Sequence, residues 1–145
     1  MVFGRNKARG KGSQQSAAGW RTIGGKKIYF RSRWEVNYSL YLEWQKVHGL
    51  LQDWEFEKET FWFDKIKRGT CSYLPDFIVT ENDGRRNIRE VKGYMDARSA
   101  TKLKRMAKYH PTWKVYVIDE TWFRVNAPKL KHLVPGWEVG TKKAY

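Results

Sequence analysis

The sequence predicts an α/β (α+β) domain, a mixed β-sheet flanked by helices. Two stretches carry helical spacing, and strand-like stretches lie between and after them. A strong hairpin signal, Asn82-Asp83-Gly84, joins two of those strands. The order is helix, strands, hairpin, helix, strand, and no internal repeat interrupts it.

Residues 1–25 read as a basic, flexible arm, and residues 26–145 as a single domain. The arm is rich in Gly, Ser, Gln, Lys and Arg, with Ala17, Ala18 and Trp20 its apolar cluster. Ser32 to about Val47 reads as a helix. Val36, Leu40, Trp44 and Val47 fall on one helical face, and His48-Gly49 supplies the stop. Leu51 to Phe63 is aromatic and partly alternating, which suggests one or two strands. Asp64 to Thr70 is a polar, basic connection. Ser72 to Thr80 is a strand by composition, with Tyr73, Phe77 and Val79 expected on one face. Arg86 to Lys92 is its hairpin partner. Arg98 to His110 is a second helix, with an apolar stripe of Leu103, Met106, Ala107 and His110, stopped by Pro111. Lys114 to Asp119 is a short apolar strand. The segment after Glu120 mixes Trp122, Phe123, Pro128, Pro135 and Trp137 and gives no assignment.

Composition narrows the partners. The chain has 145 residues, 41% of them hydrophobic, enough apolar surface for a core. Its net charge is +14, which favours a polyanionic partner, most commonly nucleic acid. Nine basic residues and no acidic one lie between Met1 and Trp34. Such an arm suits phosphate tracking, and equally a solubilising tail. Anionic membrane surfaces and a ribosome-like scaffold are the other partners such a charge suits. The lone Cys71 makes neither an internal disulfide nor a zinc cluster, so a reducing cytoplasmic setting is expected. No apolar run approaches the ~20 residues that span a bilayer, and no signal-peptide pattern follows the basic start.

Two short segments carry chemistry. They are Leu74-Pro75-Asp76-Phe77 and Arg89-Glu90-Val91-Lys92-Gly93. Alternation in a strand points Glu90 and Lys92 the same way, and the hairpin lets Asp76 lie opposite them. Paired carboxylates hold Mg²⁺, a hard cation that prefers oxygen; a neighbouring ammonium stabilises charge on a phosphate. Glu35 is the third piece. It sits off the Val36 stripe beside Tyr38 and Leu42, and a carboxylate on an apolar flank needs a partner. Plainer readings exist for each. Ser32 and Glu35 also spell a capping box. Asp76 after Pro75 fits turn chemistry, and Glu90 with Lys92 fits a solvated strand pair. The histidines His48, His110 and His132 are scattered and make no metal site, and Gly24-Gly25 is too short for a phosphate loop. Arg98, Lys102 and Arg105, widened by Lys104 and Lys108, form a basic stripe just after this constellation. The stripe fits phosphate contact or a solvated helix face.

Taken together, Arg31-Ser32-Arg33-Trp34-Glu35, Tyr73-Leu74-Pro75-Asp76-Phe77 and Glu90-Val91-Lys92-Gly93 resemble the PD-(D/E)XK nuclease superfamily. The phage endonuclease I family, which resolves Holliday junctions, is the nearest likeness. The tract Trp54-Glu55-Phe56-Glu57-Lys58-Glu59 and the basic helix ending in His110-Pro111 resemble it too. Phage head-completion nucleases and end-cleaving transposon nuclease subunits look similar over the same motifs. The likeness covers roughly Phe30 to Pro111; the segment after Glu120 does not align. The resemblance implies a restriction-endonuclease-like core and a Mg²⁺-dependent DNA endonuclease, with Mn²⁺ able to substitute. It implies a structure-specific substrate such as a branched DNA or Holliday junction; a head-completion or general DNA nuclease is the alternative. Asp76 and Glu90 would then ligate the metal with the Val91 carbonyl, Glu35 would take a second metal or a metal water, and Lys92 would act at the attacking water. Arg31, Arg33, Arg98, Lys102 and Arg105 would contact DNA. Junction work would call for a homodimer, in the cytoplasm of a phage host. A non-catalytic nucleic-acid-binding protein is the rival from another class.

Overall fold

The computed structural model describes residues 17–140. Residues 19–25, expected as part of the arm, belong instead to a hairpin. Gly19–Ile23 (β1) and Lys26–Phe30 (β2) form an antiparallel hairpin. Its turn is Gly24-Gly25, with φ of 59° and 81°, the left-handed pair that a tight two-residue turn requires. Ile23 and Phe30 anchor the hairpin in the main core. Arg21 ties it to the far end of the chain, donating from Nε and Nη2 to the Glu138 carboxylate at 2.6 and 2.9 Å. Residues 1–16 of the expected arm lie outside the described residues.

Helix α1 (Arg33–Val47) follows almost where its spacing predicts. The Ser32 hydroxyl caps it, accepting from the Glu35 amide at 3.1 Å, and His48 ends it. The buried face differs from expectation. Val36, Asn37, Tyr38, Ser39 and Leu42 are buried, whereas Leu40 and Trp44 are half-buried and Val47 is 71% exposed. Four consecutive buried residues mean that the helix is enclosed on several sides near its start, by the hairpin, the sheet and the C-terminal tail. Asn37 is buried because it is paired. Its Nδ2 donates to the Glu138 carbonyl and its Oδ1 accepts from the Glu138 amide, both at 2.8 Å.

The central sheet is mixed, as expected. After β3 (Asp53–Phe56), the short strands β4 (Phe61–Trp62) and β5 (Ser72–Tyr73) pair with each other in a separate two-stranded sheet. Then β6 (Phe77–Thr80), β7 (Arg86–Val91) and β8 (Val115–Ile118) complete a four-stranded sheet of order β3-β6-β7-β8. Its first three strands are antiparallel, and β8 lies parallel to β7. The turn at 81–85 closes the β6–β7 hairpin, with the Glu81 amide donating to the Arg85 carbonyl at 2.8 Å and Gly84 at φ 88°.

The single strand expected over 72–80 is two. Pro75 has no N–H for a ladder, and the chain changes sheets between Tyr73 and Phe77. Tyr73 therefore packs with Phe61, Phe63, Ile78, Ile88 and Met106 on one side of the sheet. Phe77 and Val79 face the other side, with Val36, Tyr38, Leu42 and Trp54. Fully burying such side chains stabilises by about 1.5–3 kcal/mol each, so the two cores hold the sheet from both faces.

Helix α2 (Ala97–Tyr109) connects β7 to β8, capped by the Asp96 carboxylate at the Ser99 amide, 2.7 Å away. Met106 and Ser99 are its buried residues. Ala107, expected in the apolar stripe, is exposed, and His110 is the C-cap, its ring against the Trp62 carbonyl. The segment without an assignment folds as helix α3 (Glu120–Leu133), capped by Asp119, with Pro128 inside it. Trp122 and Phe123 pack it onto Tyr38 and Trp34 of α1. Among the described residues, no helix is long and apolar enough to cross a membrane.

Candidate active site

The register of the β6–β7 hairpin decides where the carboxylates fall. Phe77 pairs with Arg89, so one step back along β6 Asp76 stands opposite Glu90. The Asp76 amide donates to Glu90 Oε1 at 3.2 Å, and the Val91 amide donates to Asp76 Oδ2 at 2.8 Å. Each carboxylate is thus fixed by the other strand's backbone. Both are buried, Asp76 at 8% exposure and Glu90 at 7%. Two negative groups buried side by side on the sheet are an arrangement that folding alone does not favour.

The electrostatics carry that mark. Burial raises the Asp76 carboxyl above its ordinary range, and the Glu90 and Glu35 charges push it further; the Val91 amide and Lys92 offset this only in part. Burial also raises Glu90, against the Tyr73 hydroxyl, the Asp76 amide, and the charges of Lys92 and Lys102. Tyr73 Oη donates to Glu90 Oε1 at 2.6 Å, and burial next to that carboxylate drives the phenol's own pKa upward. Lys92 Nζ lies 3.8 Å from Glu90 Oε2, side by side with it as strand alternation predicts.

The donor set fits a hard divalent cation. Tyr73, the Asp76 amide and the Val91 amide occupy Glu90 Oε1 and Asp76 Oδ2. No described residue donates a hydrogen bond to Asp76 Oδ1 or Glu90 Oε2. Magnesium keeps several of its waters and needs only one or two carboxylates, so two such oxygens suffice. Among the described residues, no three His, Cys, Asp or Glu side chains assemble as a ready-made cage. A cation would thus sit on two protein carboxylates and water.

Glu35 reaches this neighbourhood from the first turn of α1. Its amide donates to the Ser32 hydroxyl, one half of a capping box, while its carboxylate accepts from the Arg31 amide, one residue before the N-cap, at 2.9 Å. Burial raises its pKa, against the Arg31 amide and charge, and Glu57 adds to the rise. Glu57 extends the ladder next to Asp76, donating from its amide to the Asp76 carbonyl at 2.8 Å. It holds Arg31 at 2.8 Å and adopts φ 45°, a left-handed conformation for a residue with a side chain.

The expected DNA-binding residues divide. Lys102 lines a small cleft with Tyr73, Leu74, Glu90 and Lys92 and belongs to the site itself. Arg105 is half-buried and donates to the Thr70 carbonyl. Arg98 is exposed. Arg31 is exposed and paired with Glu57, while Arg33 is half-buried, its Nε without a hydrogen-bond partner among the described residues. Sequence reasoning placed Tyr73 as an apolar strand residue and missed its hydroxyl. The signal was its spacing, three residues before Asp76 in the same motif. The Gly19-to-Phe30 hairpin was missed too, although Gly24-Gly25 between alternating strands is a hairpin signature. No family model and no curated protein matches this chain.

Proposed function

We propose that this chain is a magnesium-dependent DNA endonuclease on the PD-(D/E)XK plan its motifs resemble, acting on a branched or otherwise structured DNA. One observation carries the reading. Asp76 and Glu90 stand opposite each other in a buried patch, with surplus negative charge and Lys92 alongside. A bound Mg²⁺, or Mn²⁺ in its place, would polarise a phosphate and lower the pKa of a water.

The chain's own residues do the rest. Asp76 and Glu90 would hold the cation through their carboxylates. Tyr73 and the two strand amides keep those carboxylates from rotating. Lys92 and Lys102 place positive charge where a phosphate gains negative charge. Glu35 adds a third carboxylate on the Arg31 side. The net charge of +14 favours a long polyanion over a small phosphate ester. A four-way junction has paired strands to cut, so this reading carries a two-fold homodimer.

The test is a panel of labelled duplex, single-strand, flap and four-way-junction DNAs incubated with Mg²⁺ or with EDTA. Cleavage of the structured DNAs in Mg²⁺ alone is expected. Binding without cleavage in either Mg²⁺ or Mn²⁺ would overturn the enzyme and leave a nucleic-acid-binding protein.

A further inference from the structure

The β1–β2 hairpin buries one face and exposes the other. Its outer face carries Trp20, Thr22, Lys27 and Tyr29, all exposed. Trp20 is 61% exposed and Tyr29 46%. They are cross-strand partners, their rings edge to face at 5.5 Å, and the Lys27 ammonium lies 5.3 Å from the centre of the Trp20 ring. A cross-strand aromatic pair stabilises a hairpin, but β-branched residues would serve that end without leaving two large rings in water. No carboxylate lies on this face, and none occurs from Met1 to Trp34. The inner face is different. Arg21 is neutralised by Glu138 there, and Lys26 by Asp53.

We infer that Trp20 and Tyr29 form a stacking platform for unpaired nucleobases, with Lys27 at the adjoining phosphate. Aromatic rings beside an uncompensated cation suit single-stranded nucleic acid, whose bases stack and whose backbone is anionic. The placement links this surface to the carboxylates. Tyr29 precedes Arg31 by two residues, about 7 Å of extended chain, and the Arg31 amide holds Glu35. The inference rests on the nuclease reading and names its substrate: DNA with unpaired nucleotides near the cut.

The experiment measures binding apart from cleavage. Full-length protein carrying Glu90→Gln is titrated in EDTA with a labelled oligothymidylate and with a blunt duplex of equal length. Adding Trp20→Thr or Tyr29→Thr, both good strand formers, should weaken oligothymidylate binding roughly 5- to 100-fold. Duplex binding should stay within about twofold, and the salt slope should not change, because no phosphate contact is lost. Lys27→Gln should instead flatten the slope by about 0.7. Trp20→Tyr, which keeps a stacking ring, should retain most of the affinity. A second measurement needs no variant of the hairpin: an iodouracil oligonucleotide should photocrosslink to the peptide containing Trp20 or Tyr29. Equal losses on both DNAs, no loss at all, or crosslinks confined elsewhere would overturn the platform. So would a Trp20-dependent affinity for phosphatidylserine vesicles, or a dimer that Trp20→Thr dissolves, in place of the DNA effect. Mg²⁺-dependent cleavage with these results negative removes the platform and leaves the nuclease. Positive results without cleavage do the reverse.

Discussion

Arg89 and Glu90 are neighbours on β7 and face opposite sides of the sheet, and their surroundings could hardly differ more. Arg89 is the centre of a closed network. Its guanidinium donates to Asn87 Oδ1 at 2.7 Å, Tyr38 Oη at 2.8 Å and Glu81 Oε2 at 2.9 Å, and Asn87 donates to the same Glu81 oxygen. One positive charge meets one negative charge, and the donors find acceptors. Glu90 instead faces a second buried carboxylate, Asp76, which also feels the Glu35 charge, and Lys92 and Lys102 offset the burial only in part. A balanced polar network stabilises a fold. An unbalanced one stores a demand for a ligand of opposite charge. The first reads as architecture and the second as a site.

Substitutions on the two sides should therefore fail in different ways. The largest effect belongs to the carboxylates. Asp76→Ala and Glu90→Ala should each lower Mg²⁺-dependent cleavage roughly a hundredfold or more while the protein stays folded, as gel assays and circular dichroism would register. Wild-type rates in both variants would remove the site. Arg89→Leu should do the opposite. It leaves the Glu81 charge uncompensated and removes the donor to Tyr38 Oη, and should cost about 1.5–3 kcal/mol in urea unfolding, with cleavage per folded molecule little changed. A collapse of activity at full stability would erase the contrast.

Smaller effects sharpen the comparison. Glu35→Gln keeps a capping side chain but loses the charge, so stability should hold while cleavage drops roughly 10- to 100-fold. Lost stability with intact cleavage would reduce Glu35 to its cap. Tyr73→Phe removes the hydrogen bond that favours the ionised Glu90. Glu90's pKa should then rise, and the acidic limb of the rate profile should move to higher pH, with about a tenfold loss of rate below it. An unmoved limb would make Tyr73 a packing residue.

How much of this was legible beforehand follows from the physics of each element. Helix α1 announced its ends because Ser32 and His48-Gly49 are local signals. Its buried face did not follow the apolar stripe. Asn37 and Ser39 are buried through hydrogen bonds, one to Glu138 a hundred positions away and one to the Val36 carbonyl. Pattern alone cannot see such partners. Helix α3 was hidden by Pro128, which sits inside it. The pairing of Asp76 with Glu90 was legible, since strand alternation and the turn at 82–84 suffice to place them. The surplus of charge there was not, because it depends on how deeply both side chains are buried.

Asp76 and Glu90 crowd two carboxylates into one buried patch that repels their charge. Both pKa values are raised, so the metal-free protein binds protons more tightly folded than unfolded. The contribution of these two groups to stability should be greatest at low pH and should be lost as pH rises through the raised values. Thermal unfolding of wild type and Asp76→Asn, in EDTA and in Mg²⁺ at mildly alkaline pH, tests this directly. The Asp76→Asn substitution should remove the repulsion, make the protein about 1–2 kcal/mol more stable in EDTA, and abolish the Mg²⁺-induced rise in Tm expected of wild type. A wild type indifferent to Mg²⁺, together with an Asp76→Asn variant less stable in EDTA, would contradict it.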